Sequence, residues 1–348
     1  MKKRILLLSA YCSDSHASWV NWLVNNLDAD WQVLELPGRY FRWRIRGNPL
    51  SWLDQLALLL KDWQPQKILA TSMVDIATIK GLYPSLASVP VSYYFHENQF
   101  AYPRAEGQHD SVDPQMVQLY GALAAQEGLF NSDFNRRTFL AGVDALLKQL
   151  PDCKPAGLAE RLAEKCRLLS VPVKTVAGGE KIPGLILWNH RWEYDKKPEL
   201  FLQLLHILKE KDVNISVALL GARAEKIPPV LGAIRKEFPH LIVADGMVGR
   251  GEYEYWLGQS EFVVSTAIHE FQGLSVQEAV SAGALPVVPD ALCYREQYAD
   301  EYRYPAGDMS AAADIIRQFR GNYCASDSGQ RQPAVLFADG WYDWLKQS

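Results

Sequence analysis

Residues 262–288 of the chain read FVVSTAIHEFQGLSVQEAVSAGALPVV. The apolar run at 262–265 has the length of a buried strand, and residues 285–288 form a second run of this kind. Between them, a polar loop ends at Gly273, and residues 274–282 carry apolar side chains at helical spacing. Short apolar strands that alternate with amphipathic helices predict a parallel sheet covered on both faces.

The same alternation extends in both directions from this stretch. Apolar strands are predicted at 5–8, 31–36, 67–70, 89–95, 185–188, 215–221 and 241–243. The pattern weakens at residues 151–183, where four prolines join Gly178-Gly179, so we expect a hinge there. The fold class is therefore α/β, with two Rossmann-like domains at 1–150 and 184–333 that face each other across a central crevice.

Length and composition limit the class of protein. At ~150 residues per domain, 348 residues suffice for about two domains. The five cysteines form no C-x-x-C pair, which argues against a zinc ribbon or a disulfide framework and favours a cytoplasmic protein. No apolar run approaches the ~18 residues of a membrane helix, so we expect no integral membrane segment. A net charge of −4 means that any contact with nucleic acid must be local.

The loop at 266–273 predicts an anion site. Because a helix begins after Gly273, the backbone N–H groups of Phe271, Gln272, Gly273 and Leu274 lie at a helix N-terminus, which suits a diphosphate. Glu270 and Glu278 are then spaced to bind hydroxyls of two sugars on either side of that diphosphate. For an isolated pair of glutamates at this spacing, the commoner interpretation is that Glu278 is a solvated helix residue and Gly273 a turn residue.

A second cluster follows the strand that ends near Asn189. Arg191 and Lys196 lie at a strand-to-helix turn, where two cations could neutralise charge on a departing nucleotide. The alternative is a surface charge cluster at a helix start. His96 follows another apolar strand and precedes Glu97-Asn98-Gln99, which places it at the mouth of the first domain, although a structural histidine remains the alternative.

These elements together resemble a known enzyme class. Glu270 and Glu278, followed by SAGALPVVP at 281–289, are similar to the donor half of retaining GT-B glycosyltransferases of the family-4 type. The stretches at 36–39, 95–103, 187–198 and 266–273 more specifically resemble the tRNA-queuosine mannosyltransferase family, over essentially the whole chain. One departure is Asp14, where that family's pattern leads us to expect glycine.

The resemblance implies a function and a set of roles. The donor would be GDP-mannose or another nucleoside-diphosphate sugar, the acceptor the cyclopentene-diol of queuosine at a tRNA wobble position, and the anomeric configuration would be retained without a cofactor. A C-terminal helix at 334–348 would pack back on the first domain. The implied catalytic residues are His96, Arg191, Lys196 and Glu270. The implied donor-binding residues are Asn189, Met247, Val248, Phe271, Gln272, Gly273, Leu274 and Glu278, and the implied acceptor-side residues of the first domain include Ser15, His16, Asn98 and Gln99.

The segment at 39–46, RYFRWRIR, bears on an RNA acceptor. Arg39, Arg42, Arg44 and Arg46 alternate with Tyr40, Phe41 and Trp43, and no acidic residue intervenes. Arginines can bind phosphates while aromatic rings such as Trp43 stack on an extruded base, at ~1–3 kcal/mol per stack. The alternative is a strand whose apolar face is formed by Phe41, Trp43 and Ile45.

No metal is expected at the site. The sequence contains one D-x-D, Asp28-Ala29-Asp30, which falls between a helix and the next strand, and no cluster has zinc spacing. The helix N-terminus, Arg191 and Lys196 would supply the positive field instead.

Three other functions compete with this one. A nucleotide-dependent oxidoreductase needs a glycine fingerprint after the first strand, and residues 9–13 contain no glycine. A GT-B enzyme with a lipid or glycan acceptor remains open, because basic-aromatic segments also dock on anionic membranes. A non-catalytic RNA-binding protein would not need Glu270, Glu278, Arg191 and Lys196 together.

Overall fold

The computed structural model describes residues 2–102, 111–221, 228–321 and 337–347, which form two compact units. The first unit comprises Met1–Pro172 and Phe337–Ser348, and the second comprises Val173–Leu336. The boundary between the units, at residues 172 and 173, lies within the predicted hinge at 151–183. The predicted range is wider than a linker, because residues 158–168 contain a helix and a strand of the first unit. A three-residue strand between prolines is too short to give a periodic signal.

The first unit is built on a parallel six-stranded sheet of order β2-β1-β3-β4-β5-β6. Its strands are β1 (Lys3–Cys12), β2 (Ala29–Pro37), β3 (Lys67–Thr71), β4 (Val91–Phe95), β5 (Glu127–Phe130) and β6 (Cys166–Leu168). Its helices before residue 172 are α1 (Asp14–Asn26), α2 (Phe41–Ser51), α3 (Leu53–Asp62), α4 (Ile76–Leu82), α5 (Asp113–Ala124), α6 (Asp133–Gln149) and α7 (Leu158–Ala163). Ile5 to Leu8 of β1 are fully buried, as a parallel strand covered on both faces requires.

The second unit contains a parallel sheet of order β12-β11-β10-β7-β8-β9. The strands are β7 (Ile182–Trp188), β8 (Ser216–Leu220), β9 (Ile242–Gly246), β10 (Ser260–Val264), β11 (Leu285–Pro289) and β12 (Arg303–Tyr304). The helices are α8 (Pro198–Glu210), α9 (Pro229–Glu237), α10 (Arg250–Gln259), α11 (Leu274–Ser281), α12 (Tyr294–Gln297) and α13 (Met309–Phe319). The strand–helix–strand unit predicted at 262–288 is therefore confirmed as β10-α11-β11.

A last helix, α14 (Ala338–Gln347), belongs to the first unit. Trp341 and Trp344 are buried there, and their indole N–H groups donate to the Ser170 carbonyl at 2.9 Å and to Ser92 Oγ at 3.0 Å. The predicted helix at 334–348 also includes residues 334–336 and 348, which lie outside the described residues.

The segment at 39–46 is neither a loop nor a strand. After Tyr40, at φ 56°, residues 41–51 form α2, so the alternation of Phe41, Trp43 and Ile45 does not form a strand face. A tertiary hydrogen bond fixes the helix, because the Asn48 amide donates to the Met73 carbonyl at 3.1 Å as well as to the Arg44 carbonyl of its own helix at 2.7 Å. A helical period therefore separates the arginines between an exposed and a buried face.

Candidate active site

The site of the second unit lies where the strand order reverses. β7 and β10 are neighbours in the sheet, but the chain leaves β7 towards β8 on one side and β10 towards β11 on the other. The loops after adjacent strands thus diverge and leave room for a ligand at the carboxyl ends. Asn189 follows β7, and the loop 265–273 follows β10.

Lys196 is the centre of this site and is almost completely buried. Its Nζ lies 3.1 Å from Glu270 Oε2 and 3.1 Å from Asp195 Oδ2, and it donates to the His269 carbonyl at 2.9 Å. Burial alone would lower the pKa of Lys196, but the two carboxylates raise it above its usual value. Burial would likewise raise the pKa of Glu270, yet Lys196 and its neighbours bring it down to about 2. The site therefore holds a fixed ammonium and an ionised carboxylate near pH 7.

Two histidines beside this pair are neutral. Burial, followed by the charge of Lys196, lowers the pKa of His190 and of His269 to about 4. His269 packs edge-on against Phe271, with ring centroids 4.6 Å apart. Neutral imidazoles can donate or accept a hydrogen bond to a hydroxyl group without adding charge.

Several buried polar atoms at this site make no hydrogen bond with any residue that the structure describes. They are Asn189 Oδ1, His190 Nε2 and Asp195 Oδ1. Leaving such groups unsatisfied costs about 1–3 kcal/mol each, so native proteins rarely bury them without a ligand or a water molecule. Asp195 and His190 interact with Lys196 and Glu270, so their atoms offer hydrogen-bonding groups to a polar ligand next to the charged pair.

Glu278 takes part in a second network at the start of α11. Tyr253 donates its hydroxyl proton to Glu278 Oε2 at 3.2 Å and accepts from the Asn189 amide at 2.9 Å. The Asn189 amide also donates to the Ser275 carbonyl at 2.9 Å, and Arg250 lies 3.0 Å from Glu278 Oε1. Asn189 and Glu278, which are predicted to act together, are therefore linked through one tyrosine.

The loop before α11 has the backbone form that the sequence predicts. Gly273 has φ 71°, and an added Cβ would lie 3.0 Å from Tyr294 Cε1. Phe271 and Gln272 are buried, and Leu274 is half-buried at the first helical position. The Gln272 side chain donates to Gln277, so its side chain stabilises the loop while backbone N–H groups remain at the helix start.

The other predicted donor residues lie at the rim of the unit. Arg191 is exposed and pairs with Glu193 at 3.3 Å. Met247 is the most exposed large apolar residue in the described part of the chain, at 77%, and Val248 beside it is half-buried. Both follow β9, whose carboxyl end lies on the same edge of the sheet as that of β7.

In the first unit, His96 and His16 are brought together. Their rings lie 4.1 Å apart, and Trp19 and Tyr94 each pack against His96 at 4.6 Å. Burial, with His16 as the second cause, lowers the pKa of His96 well below its usual value, so the ring is neutral. His16 Nδ1 donates to the Tyr11 carbonyl at 2.5 Å, and Ser15 is exposed one residue before it.

Asp14, the departure from the family pattern, begins α1. Its φ is not in the left-handed region, so the backbone conformation does not require glycine there.

Two predicted acceptor residues stabilise a loop instead. Asn98 is fully buried, donates to the Asn135 side chain at 2.9 Å, and accepts from the N–H groups of Phe100 and Ala101. All its hydrogen-bonding groups are thus occupied, and the structure does not support contact with an acceptor. Gln99 is half-buried, and its side chain donates to Glu97 at 3.3 Å.

The basic segment separates into two faces. Arg39, Arg42, Trp43 and Arg46 are exposed. Arg44 is buried and donates to the Pro37 carbonyl at 3.4 Å, so its predicted role in acceptor binding does not fit its position. Arg46 pairs with Asp75 at 3.2 Å.

The sequence reasoning missed Asp195, Arg250 and Trp19. Asp195 adjoins Lys196, and an acid directly before a buried lysine is a usable signal once the lysine is known to be buried. The contacts of Arg250 with Glu278 and of Trp19 with His96 gave no local signal, since both join residues far apart in the sequence.

Two further features concern metals and membranes. Across residues 2–102, 111–221, 228–321 and 337–347, no three His, Cys, Asp or Glu side chains are grouped as metal ligands. The Asp28-Ala29-Asp30 motif, which is not expected to bind a metal, lies at the start of β2. There Asp28 pairs with Lys2, and Asp30 accepts a hydrogen bond from the Trp63 indole N–H. None of the helices in the described ranges is long and apolar enough to span a bilayer.

Comparison with known proteins agrees with this architecture. The family model for the N-terminal region of tRNA-queuosine alpha-mannosyltransferase matches residues 4–173. The tRNA-queuosine alpha-mannosyltransferase of Drosophila melanogaster is 32% identical over 318 residues, which cover 87% of this chain and 84% of that protein.

Solved structures share the fold at low identity. The lipopolysaccharide outer core galactosyltransferase WaaB is 11% identical, with a TM-score of 0.65 and 99% of each chain covered. Anabaena HepE in complex with UDP-glucose is 12% identical, with a TM-score of 0.65 and 100% of each chain covered. TarM matches with a TM-score of 0.55 and 14% identity over 86% of this chain, which spans only 54% of TarM. The two parallel six-stranded sheets are thus those of a GT-B glycosyltransferase, and the chain belongs to the tRNA-queuosine alpha-mannosyltransferase family of hexosyltransferases.

Proposed function

We propose that this enzyme transfers mannose from GDP-mannose to the cyclopentene-diol of queuosine at a tRNA wobble position, with retention of anomeric configuration. The name of the Drosophila relative supports the mannosyl group and the queuosine acceptor. The observation that carries the proposal is the buried Lys196–Glu270 pair, surrounded by polar atoms without partners in the described structure. GDP as the nucleotide rests on the resemblance to the family.

The donor sugar is proposed to bind at this pair. Glu270 is ionised and can accept hydrogen bonds from sugar hydroxyls. The buried Oδ1 of Asp195 can accept another, and neutral His190 can donate or accept through Nε2. A hexose supplies several hydroxyl groups in a small volume, which is what these atoms need.

The nucleotide is proposed to bind at α11. Glu278 would exchange Arg250 or Tyr253 for ribose hydroxyls, and the diphosphate would lie at the helix N-terminus. Lys196 already uses its three N–H groups on Glu270, Asp195 and the His269 carbonyl. We therefore assign direct contact with the diphosphate first to exposed Arg191, and a through-space electrostatic role to Lys196.

The acceptor is proposed to bind on the exposed face of α2. Arg42, Trp43 and Arg46 are spaced so that one helical face presents two cations and a half-exposed indole. Gly47 lets the Trp43 ring lie flat on its own helix, since an added Cβ would lie 2.5 Å from the indole. A ring held in this way loses little conformational freedom when a base stacks on it.

The chemistry then needs no enzymic nucleophile. The diphosphate would leave on the face that the acceptor hydroxyl enters, and its oxygen would take the hydroxyl proton. The protein contributes positioning and charge stabilisation, and the reaction is proposed to need no metal or other cofactor. An RNA acceptor and the free cysteines, Cys12, Cys153, Cys166 and Cys293 in the described part, favour a cytoplasmic enzyme.

A transfer assay tests the proposal. Purified protein is incubated with radiolabelled GDP-mannose, EDTA, and tRNA that either contains or lacks queuosine, with UDP-glucose as the competing donor. We expect label only in the queuosine-containing tRNA and no loss of rate with EDTA. Binding and slow hydrolysis of GDP-mannose without transfer would keep the donor site and indicate a lipid or glycan acceptor. Absence of both binding and transfer would contradict the proposed donor.

Matched variants test the two binding surfaces. Glu278→Ala should raise the donor KM at least tenfold, whereas Glu254→Ala, which removes the other carboxylate paired with Arg250, should not. Trp43→Ala should weaken tRNA binding by about 1–3 kcal/mol, whereas Leu50→Ala on the same helix should leave it unchanged. Full transfer activity in Glu278→Ala would contradict the donor assignment, and equal tRNA affinities of the two α2 variants would contradict the acceptor assignment.

A further inference from the structure

Helix α14 places one tryptophan inside the aromatic cluster of the first unit. The Trp341 ring is fully buried and lies 5.6 Å from Trp19 and 5.2 Å from Tyr94, centroid to centroid. Trp19 and Tyr94 are stacked on each other at 4.8 Å with an interplanar angle of 20°. We call Trp19, Tyr94 and Trp341 the aromatic clamp.

Two rings of the clamp, Trp19 and Tyr94, pack against His96, and the His16 ring packs against it with centroids 4.1 Å apart. Trp19 contacts the His96 ring at 4.6 Å and 88°, and Tyr94 contacts it at 4.6 Å and 70°, so both contacts are edge-to-face. His96 Nε2 is buried and makes no hydrogen bond with any described residue. At its Nε2 edge the His96 ring is therefore oriented by packing, and a shift of the Trp19 or Tyr94 ring would shift the imidazole.

The clamp is itself fixed at two adjacent carbonyls. Trp341 Nε1 donates to the Ser170 carbonyl at 2.9 Å, and Tyr94 Oη donates to the Leu169 carbonyl at 2.8 Å. Both carbonyls directly follow β6, which pairs with β5 in the sheet. Trp341 and Tyr94 are thus both anchored to the segment that follows β6. Trp19 packs against both of these rings, and His96 packs against Tyr94.

The second tryptophan of α14 has a different position. Trp344 donates to Ser92 Oγ at 3.0 Å and Glu127 Oε1 at 3.1 Å, and Lys67 Nζ lies 4.6 Å from its ring centroid. It touches Trp341 at 5.6 Å and lies at the amino ends of β3, β4 and β5, whereas His96 follows the carboxyl end of β4. Trp344 is therefore an internal control for attachment of the helix at the opposite edge of the sheet.

We propose that Trp341 is a positioning residue for the transfer reaction, acting on His96 through Trp19 and Tyr94. The inference rests on the proposed function, for which the family resemblance implies His96 as a catalytic residue. In this proposal the orientation of the His96 ring depends on helix α14, about 250 residues further along the chain. No local sequence pattern connects the two.

The test compares Trp341→Phe with Trp344→Phe. Both variants lose an indole hydrogen bond of α14, and the free energy of unfolding of each is measured first. We expect Trp341→Phe to lower kcat about tenfold with the KM values for donor and tRNA within twofold, because a small misplacement of a positioned group costs rate rather than binding. Trp344→Phe is expected to keep kcat within twofold at a comparable loss of stability.

A second readout observes His96 directly. The NMR signal of His96 Cε1–H should shift in Trp341→Phe, because the neighbouring rings move, and should remain in place in Trp344→Phe. In a His96→Ala background, Trp341→Phe should cause no further loss of kcat.

The outcomes separate the two claims. An unshifted His96 signal in Trp341→Phe, equal losses of kcat in both tryptophan variants, or full additivity with His96→Ala would each overturn the positioning role. Absence of transfer by the wild-type enzyme would instead count against the proposed function, and the NMR comparison would still test the contact.

Discussion

At the scale of single residues, the donor-side site is defined by charges that are buried together. Lys196 is almost fully enclosed with Glu270 and Asp195, and two neutral histidines complete the surroundings. Removing water makes each charge depend on its partners, because an unpaired buried charge has no solvent to stabilise it.

Loss of the buried ammonium should therefore be costly. Lys196→Met leaves two carboxylates without their common partner, and we expect the free energy of unfolding to fall by about 3–5 kcal/mol. Lys174→Met breaks a Lys–Glu pair whose lysine is 64% exposed, so it should cost at most about 1 kcal/mol. Denaturant unfolding of both variants measures the difference. Equal losses would show that the Lys196 cluster is open to solvent.

His190 gives the stability a defined pH dependence. Its pKa in the folded chain is about 4, against 6.5 for an ordinary histidine, so the unfolded chain binds more protons between these values. Stability is then fully present above pH 6.5 and falls as pH decreases towards 4. His190→Gln removes one such group and should reduce the slope by up to about 1.4 kcal/mol per pH unit in this window.

Urea unfolding at a series of pH values measures this slope. Between pH 7.5 and 9 the variant and the wild type should have the same slope, which is the internal control. An unchanged slope between pH 6.5 and 4 would mean that His190 is not a buried neutral group.

At the scale of elements, α2 shows how a helix can divide a uniform sequence into two faces. The arginines at 39–46 look equivalent in the sequence, yet Arg44 points into the unit while Arg42 and Arg46 are exposed. The cause is Asn48, whose amide contacts both the helix and the loop after β3 and so sets the rotation of α2. Alternating aromatic residues had also matched a strand, and only these tertiary contacts exclude it.

The start of α11 depends on one glycine conformation. Gly273 has φ 71°, and a side chain there would meet the Tyr294 ring at 3.0 Å. Gly273→Ala should therefore destabilise the protein by about 1–2 kcal/mol and lower affinity for GDP, because the loop N–H groups move.

Gly232→Ala is the matched control within α9. No atom lies within 4 Å of the added Cβ, and an alanine inside a helix should stabilise the protein by up to about 1 kcal/mol. Thermal unfolding and GDP titration of both variants give the comparison. Unchanged GDP affinity in Gly273→Ala would remove the α11 N-terminus from the donor site.

At the scale of the whole molecule, the two units apply one architectural rule twice. In the second unit the strand order reverses between β7 and β10, and in the first unit it reverses between β1 and β3. The predicted donor residues follow β7, β9 and β10, and His16 and His96 follow β1 and β4. Each unit thus presents its chemistry at the carboxyl ends of its strands.

Nucleotide binding should affect the two units unequally. GDP at about 100 times its Kd should stabilise the folded state that binds it by about 2.7 kcal/mol. We expect hydrogen exchange to slow at residues 189–197 and 265–281 of the second unit, with the sheet of the first unit unchanged. Hydrogen-exchange mass spectrometry with and without GDP measures this. Protection confined to the first unit would contradict the donor assignment.

Much of the fold could be predicted because its signals are local. The buried strands β1, β3, β7 and β10 are short apolar runs, and α11 has helical spacing, so each was predicted within a few residues of its observed bounds. Other elements were not predicted, and among them α2, α7, β5 and β6 are short or lack a clear period. Their conformation depends on partners elsewhere in the chain.

The candidate site divides in the same way. Gly273 and the start of α11 follow from turn and helix chemistry that neighbouring residues determine. Asn98 was predicted to bind the acceptor, and it lies in the loop after β4, close to His96. However, its amide group is hydrogen-bonded to Asn135 and to the following turn. A polar side chain in a loop can bind a ligand or stabilise the loop, and only its surroundings distinguish the two.

The sequence by itself determined the α/β class, the strand–helix–strand unit at 262–288 and the residue types gathered after β7 and β10, because period, length and turn chemistry act over a few neighbouring residues. Only the tertiary structure decided that Lys196 is enclosed by two carboxylates, that Arg44 faces inward, and that Trp341 reaches the rings around His96. Burial, ionisation and side-chain orientation result from contacts between residues far apart in the chain, and these contacts exist only once the sheets have formed.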